Sequence, residues 1–351
     1  MNLLAMGAMG LVIPAALMGW AVTRLAVSGA VLDFPNARSS HLRPTPRSGG
    51  IGIVAGFMLA LALASTVPSP ADPDALALVK LIIFALVMGG LGLTDDLLSL
   101  PAKLKFTIMV LTIGLYVWFA QPVMLIEFTG HVHVTLPFVV GLLGSALFLF
   151  VVINATNFMD GANGMLVAGM FPAGVGLGVM GIMQDVPLAA YAGFSLAGAL
   201  AGFALLNWDP AKIFAGDVGS LFCGAVMGAG GLALAVKGYP GTVWLIPLLV
   251  LPFVGDVLLT LLKRARAGRL SLAAHREHAY QMLLRAGISH ARAAEAYACG
   301  ATACSGLAVA VATGPVVLKL IALVLASLAF TVIYYRIHSF AYSQGVEKTA
   351  Y

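Results

Sequence analysis

The sequence predicts an all-α polytopic membrane protein, and three observations carry that prediction. First, hydrophobic residues make up 61% of the 351 residues and charged residues only 9%. Soluble domains average roughly 45–50% and 25%, so a soluble chain of this length would lack the charge to coat its surface. Second, the apolar residues fall into runs of roughly 20, long enough to cross about 30 Å of hydrocarbon as helices. Third, the lysines and arginines lie almost entirely in alternate connections between those runs, the pattern of loops that face the cytoplasm. The same composition excludes a disordered chain, collagen and a disulfide scaffold. Cys223, Cys299 and Cys304 are odd in number and form no C-x-x-C pair, so they read as small packed residues and not as a zinc site.

Taken in order, eleven spans are expected, near 3–23, 50–67, 76–94, 103–120, 136–153, 165–183, 187–206, 218–236, 241–262, 295–313 and 316–335. The last two are split only by Gly314-Pro315; without that split there are ten. No Lys or Arg precedes Arg24, so the first run reads as a retained span and not as a cleavable signal. The stretch 121–135 is too short to cross, and the alternation His131-Val132-His133-Val134 predicts a short β-ribbon near 126–135. The 40 glycines suit close helix packing in lipid. The whole chain, 1–351, reads as a single integral membrane domain.

Connections after odd-numbered spans, with the C-terminal tail, hold all but Lys80, Lys237 and Lys319 of the 19 basic residues. The bias predicts an N-terminus outside, a cytoplasmic C-terminus, and five cytoplasmic loops at about 24–49, 95–102, 154–164, 207–217 and 263–294. The polar residues gather in these loops. Loop one carries Arg38, His41, Arg43 and Arg47 ahead of Gly49-Gly50, a set suited either to anionic oxygens or to anionic lipid. Loop two starts with Asp95-Asp96, followed by Lys103 and Lys105. Adjacent carboxylates at a membrane surface cost free energy unless a cation balances them, and a divalent metal with phosphate would do so. Loop three, Asn154-Ala-Thr-Asn157-Phe-Met-Asp160-Gly161-Ala-Asn163-Gly164, is a polar turn with no basic residue. Asp217 stands in the Gly/Ser turn Gly216-Asp217-Val-Gly219-Ser220. Free backbone amides beside a carboxylate suit nucleotide phosphates and a metal, although each turn alone would also serve as a helix cap. Loop five holds His275, Arg276 and His278; the histidines share a helix face, and their cationic neighbours favour phosphate over metal.

Together these segments resemble the polyprenyl-phosphate N-acetylhexosamine-1-phosphate transferase family, which includes bacterial undecaprenyl-phosphate GlcNAc-1-phosphate transferases and phospho-MurNAc-pentapeptide translocases. The matching stretches are Asp33-Phe-Pro-Asn36…Arg47-Ser-Gly49-Gly50, Asp95-Asp96, Asn154…Asn157-Phe-Met-Asp160-Gly161…Gly164, Gly216-Asp217-Val-Gly219-Ser220 and Arg264…His278. The resemblance implies that polyprenyl phosphate attacks the β-phosphorus of a UDP-N-acetylamino sugar, that sugar 1-phosphate moves to the lipid and that UMP leaves. It implies Asp217 as ligand of Mg²⁺, or of Mn²⁺ in its place, and Asp95 and Asp96 at the lipid phosphate, one as base. It implies Asn157 and Asp160 beside nucleotide or metal, and Arg47, Lys103, Lys105, His275, Arg276 and His278 at phosphates. The partners implied are the nucleotide sugar, the polyprenyl phosphate and the bilayer of a bacterial inner membrane, with no nucleic acid; self-association is left open.

One stretch departs from the family. His278-Ala-Tyr280-Gln281 replaces the consecutive histidines of the translocases and the His-x-His-His of the GlcNAc-1-phosphate enzymes. The departure argues against peptidoglycan precursors and for initiation of O-antigen or another surface polysaccharide. Tyr280 is expected to influence donor choice. A transporter of an anionic solute is the competing class, but it would set its polar groups near the bilayer midplane. A lipid-diphosphate phosphatase would use water as acceptor.

Overall fold

A computed structural model describes residues 3–28, 32–33, 45–65, 75–269 and 275–347. Each of the eleven expected spans is helical. The first is α1 (Leu3–Gly10) running into α2 (Val12–Ala26), followed by α3 (Gly50–Ala64), α4 (Ala75–Leu98), α5 (Ala102–Ala120), α6 (Phe138–Met159), α7 (Met165–Met183), α8 (Pro187–Asn207) and α9 (Gly216–Lys237). After a 3₁₀ turn at Thr242–Trp244 come α10 (Leu245–Leu249), α11 (Leu251–Arg266), α12 (Ala279–Arg285), α13 (His290–Ala310) and α14 (Val316–Ser343). Helices dominate because a chain in hydrocarbon must satisfy every backbone N–H and C=O internally.

Among the described residues, eight helices are long and apolar enough to span by themselves, and nine if the bent pair Thr242–Leu249 and Leu251–Arg266 counts as one span. The two remaining predicted spans fall short for different reasons. Helix α3 has only 15 apolar residues, while α13 opens with His290, Arg292 and Glu295 within its first two turns. The 77° bend between α10 and α11 lies at Val250, two residues before Pro252. Proline has no N–H to continue the helical ladder and its ring crowds the preceding turn.

Helices α7, α8 and α9 form the centre, with α5 and α14 most exposed on the periphery. Two short strands, β1 (Leu32–Asp33) and β2 (Thr45–Pro46), pair antiparallel in the first loop; residues 29–31 and 34–44, including Asn36, Arg38, His41 and Arg43, lie outside the described residues. The predicted ribbon is present as β3 (Leu125–Glu127) and β4 (His133–Thr135), with Ile126 opposite Val134. It is fastened to the start of the bent pair: Trp244 Nε1 donates to the Glu127 carbonyl at 2.6 Å, and the Gly241 N–H donates to Glu127 Oε2 at 2.7 Å. Nearby, the buried Lys319 of α14 donates to the Pro240 carbonyl at 2.7 Å.

Candidate active site

The polar loops converge at the end of the bundle opposite that ribbon. Helices α4 and α6 end there, and α3, α5 and α9 begin there. The first loop is tied to the start of α9 by backbone bonds: Phe214 N–H to the Pro46 carbonyl at 2.8 Å, then Gly49 N–H to Phe214 and Gly50 N–H to Ala215, both at 2.9 Å. Two glycines allow the elements to meet. Gly216 adopts φ +70°, and an added Cβ would collide with the Arg47 carbonyl and stand 2.5 Å from Asp96 Oδ2. At Gly92 of α4, a Cβ would strike the backbone of Asp217. Only a residue without a side chain lets backbone approach backbone this closely.

On that frame sits a chain of charged and amide groups drawn from four helices. Asp95 accepts from the Leu100 N–H and from Lys105 Nζ, each at 2.8 Å. The same Lys105 ammonium contacts Asp217 Oδ2. The other Asp217 oxygen accepts from Asn157 Nδ2 at 3.0 Å, and that amide also lies 2.9 Å from Ser220 Oγ. Asp96 is buried; its Oδ2 accepts from the Val218 N–H at 3.2 Å, and its Oδ1 lies 3.7 Å from Arg47 Nε. Arg47 also donates to the Asp96 carbonyl. Asp160 caps the end of α6, where burial, followed by the nearby Asp217 and Asp96 carboxylates, pushes its carboxyl well above the usual range. Asp95 and Asp217 share the Lys105 ammonium and Asp96 faces Arg47, so three carboxylates meet two cations and leave negative charge that a further cation would balance.

Six of the predicted site residues therefore meet directly: Arg47 with Asp96, and Asp95, Lys105, Asn157 and Asp217 in one connected chain. Lys103 does not join them; it is exposed on the first turn of α5. His275, Arg276 and His278 lie in the last loop, where residues 270–274 are outside the described set. The two imidazole rings are 5.0 Å apart. Burial, then the neighbouring His278 and Arg264, lowers His275 to about 4, so it is neutral at physiological pH. Arg264 is held by Glu277 at 2.7 Å, and Arg269 lies 3.4 Å from the same carboxylate. Tyr280 is buried, and its hydroxyl donates to the Phe158 carbonyl at 3.1 Å and accepts from Gln281 Nε2 at 3.1 Å. That hydroxyl is spent inside the protein, which pins the last loop to the end of α6 and removes the reason to expect it to select the donor.

Sequence reasoning did not reach the contacts that support this site. Asn163 donates to Asp209 Oδ1 at 2.7 Å and its N–H to His290 Nδ1 at 3.1 Å, while Asn207 accepts from the Gly164 N–H at 3.0 Å. Asp256 of α11 accepts from the Ala279 N–H at 2.9 Å and lies 3.3 Å from His278 Nδ1. The available signal was an ionisable residue inside an apolar span, which lipid tolerates only with partners.

As to metal, the donors near Asp217 are hard oxygens (carboxylates, the Asn157 carboxamide, the Ser220 hydroxyl), the type Mg²⁺ takes, with water and substrate phosphates completing its shell. Among the described residues no three His, Cys, Asp or Glu side chains converge into a preformed metal cage. The donor set fits a cation carried largely by substrate phosphates.

A bundle of membrane helices that gathers acidic, amide and basic groups at one end defines an integral membrane protein with a site suited to phosphorylated substrates, and comparison with known proteins bears on which kind. A family model described as glycosyl transferase family 4 matches residues 78–236. The decaprenyl-phosphate N-acetylglucosaminephosphotransferase of Mycolicibacterium smegmatis is 31% identical over 308 residues, covering 78% of this chain and 73% of that protein. The protein of the same name from Mycobacterium leprae is 28% identical over 285 residues, 74% and 71% of the two chains. The phospho-N-acetylmuramoyl-pentapeptide-transferase of Deinococcus radiodurans is 32% identical over 234 residues, 61% of this chain and 68% of the other. The chain belongs to the polyprenyl-phosphate N-acetylglucosamine-1-phosphate transferases of glycosyl transferase family 4.

Proposed function

We propose that the protein transfers N-acetylamino-sugar 1-phosphate from a UDP-sugar to polyprenyl phosphate, yielding lipid-diphosphate-sugar and UMP, as the first step of an O-antigen or another surface polysaccharide. The relatives' substrates support this reading, and one observation carries it: Asp95, Lys105, Asn157 and Asp217, from four helices, form one connected polar chain at a single end of the bundle. Phosphoryl transfer needs in-line positioning and neutralised charge more than covalent chemistry. Lys105 and Arg47 supply fixed positive charge at the acidic cluster. Asp95 or Asp96 takes up a proton at the acceptor phosphate, and His278, with Arg276, meets phosphate oxygens from the last loop. The neutral His275 meets them only as a hydrogen-bonding group. Lys103, exposed at the rim, contributes through longer-range attraction.

Asp217, with Asn157 and Asp160 beside it, would hold Mg²⁺ or Mn²⁺, which supplies charge neutralisation on the transferring phosphate when bound. The basic-loop bias supports a cytoplasmic active site in a bacterial inner membrane, with the N-terminus outside.

The test incubates purified protein with labelled UDP-GlcNAc, polyprenyl phosphate and Mg²⁺. UMP and a diphosphate-linked lipid are expected, with turnover lost in EDTA and lost in Asp217→Asn while its melting temperature stays within a few degrees. Release of UDP would mean glycosyl transfer and overturn the reaction. Full turnover in EDTA would overturn the metal assignment.

A further inference from the structure

Asp256 has no part in the chemistry just described, yet protein donors surround its carboxylate in place of water. It lies on α11 with no exposed surface. Its Oδ1 accepts from the Ala279 N–H at 2.9 Å and from the Thr260 hydroxyl at 3.2 Å, and lies 3.3 Å from His278 Nδ1. Its Oδ2 accepts from the Tyr280 N–H at 3.4 Å and from the Tyr297 hydroxyl. An isolated carboxylate buried among apolar side chains costs several kcal/mol or more. Four donors from three helices offset that penalty here, and they fix the carboxylate in one orientation against His278.

The consequence falls on His278. A carboxylate that already accepts from four other donors acts as acceptor toward His278 as well, so the imidazole nitrogen nearest to it is assigned the proton. The proton is therefore assigned to Nδ1, and Nε2 is the nitrogen left for other work. The ring also lies near Phe158, at a centroid separation of 6.4 Å and an interplanar angle of 25°, and near Tyr280, at 6.2 Å and 12°. Phe158 directly follows Asn157, so the ring lies beside the end of α6 that carries the acidic cluster's amide. A helix-borne carboxylate that sets the tautomer and angle of an imidazole is the arrangement by which an aspartate orients a catalytic histidine.

We propose that Asp256 is a positioning residue for His278, holding the Nδ1–H tautomer so that Nε2 is left to accept the proton of a P–OH oxygen on the lipid phosphate acceptor. This rests on the reading that His278 serves a substrate phosphate, and the experiment separates the two. It is a double-mutant cycle in native membranes with Asp256→Asn, His278→Ala and the pair, measuring kcat and KM for UDP-GlcNAc beside thermal unfolding of each variant. The Asn side chain keeps the shape and still accepts from Ala279, but its NH₂ group favours the wrong imidazole tautomer.

Asp256→Asn is expected to lower kcat on the order of 10²-fold, the effect of losing one transition-state contact, with KM within about threefold. In the His278→Ala background the same substitution should cost less than twofold, since groups acting as a unit are not additive. A loss that multiplies in that background would overturn the proposal, as would full turnover by Asp256→Asn beside an inactive His278→Ala. If His278→Ala itself is fully active, the role assigned to His278 falls, and the positioning proposal falls with it. Should Asp256→Asn fail to accumulate, Asp256→Glu enters the same cycle and is judged by the same additivity.

Discussion

Asn157 donates its carboxamide to Asp217 Oδ1 across 3.0 Å, joining the last turn of α6 to the first turn of α9. Lys105 takes the second oxygen of the same carboxylate, so Asp217 is gripped from two helices and cannot rotate freely. A carboxylate fixed in this way is preorganised: its geometry is set by folding and is not bought from substrate binding.

The grip predicts that two neighbouring lysines differ sharply. Lys105 lies between Asp95 and Asp217, whereas Lys103 is exposed two residues earlier. Lys105→Gln leaves two close carboxylates without their ammonium and should lower kcat by on the order of 10²-fold or more. Lys103→Gln should change turnover less than tenfold, mainly through KM and more at low ionic strength, as for a screened surface charge. The two variants are compared in one assay at two salt concentrations. Equal effects would mean that the Lys105 bridge has no catalytic part.

Gly216 is the second test of the frame. Its φ of +70° is open to glycine at little cost, and a methyl there meets the Arg47 carbonyl and Asp96 Oδ2. Gly216→Ala combines left-handed backbone strain with overpacking, together about 2–4 kcal/mol. The expected result is a lowered melting temperature and, in the surviving folded fraction, impaired turnover, because Arg47 and Asp96 must move. Gly90, where an added Cβ meets nothing within 4 Å, is the control: Gly90→Ala should leave both unchanged.

For Tyr280 the structure predicts a loss of stability and no change in donor preference. Its hydroxyl supports the Phe158 carbonyl and Gln281 in a buried setting. Tyr280→Phe removes both bonds and leaves the part-buried Phe158 carbonyl without this donor, a cost of about 1–3 kcal/mol. Melting temperature should fall while the relative rates on UDP-GlcNAc, UDP-GalNAc and a 6-deoxy donor stay fixed. A changed ratio with unchanged stability would return the hydroxyl to the substrate.

The helices were legible because lipid leaves a hydrophobic run of this length no other fold. The acidic cluster was legible because Asp95, Asp96, Asn157 and Asp217 stand in short polar turns between apolar runs, where nothing else competes for notice. What spacing could not reveal is pairing at long range. Asp256 meets the Ala279 N–H 23 residues on and Tyr297 a further 18 residues on, and no periodicity connects a mid-span aspartate to a later loop. Nor could run length tell how α13 sits, since its first turns are charged and its remainder apolar. The buried hydroxyl of Tyr280 misled for the same reason: from sequence it is a polar group in an active loop, and only packing shows that its bonds are already spent.

The last prediction concerns His275. Burial, reinforced by His278 and Arg264, lowers its imidazole from the ordinary value of 6.5 to about 4 in the folded protein. In the unfolded chain it keeps the ordinary value. Above pH 6.5 the group is neutral in both states and contributes no pH dependence. Between about 6.5 and 4 the unfolded chain holds a proton that the folded protein refuses, so stability falls as pH falls through that window and rises as pH rises through it. Its Nδ1 is buried without a partner among the described residues, and no nearby group rewards the charged form enough to reverse the effect. His275→Gln removes the titration while keeping a polar side chain. The melting temperature of the variant should therefore drop less than that of the wild type between pH 7 and pH 5, with the two curves converging above pH 7. Parallel curves across the whole range would show that His275 titrates normally in the folded protein and is open to carry charge at the substrate.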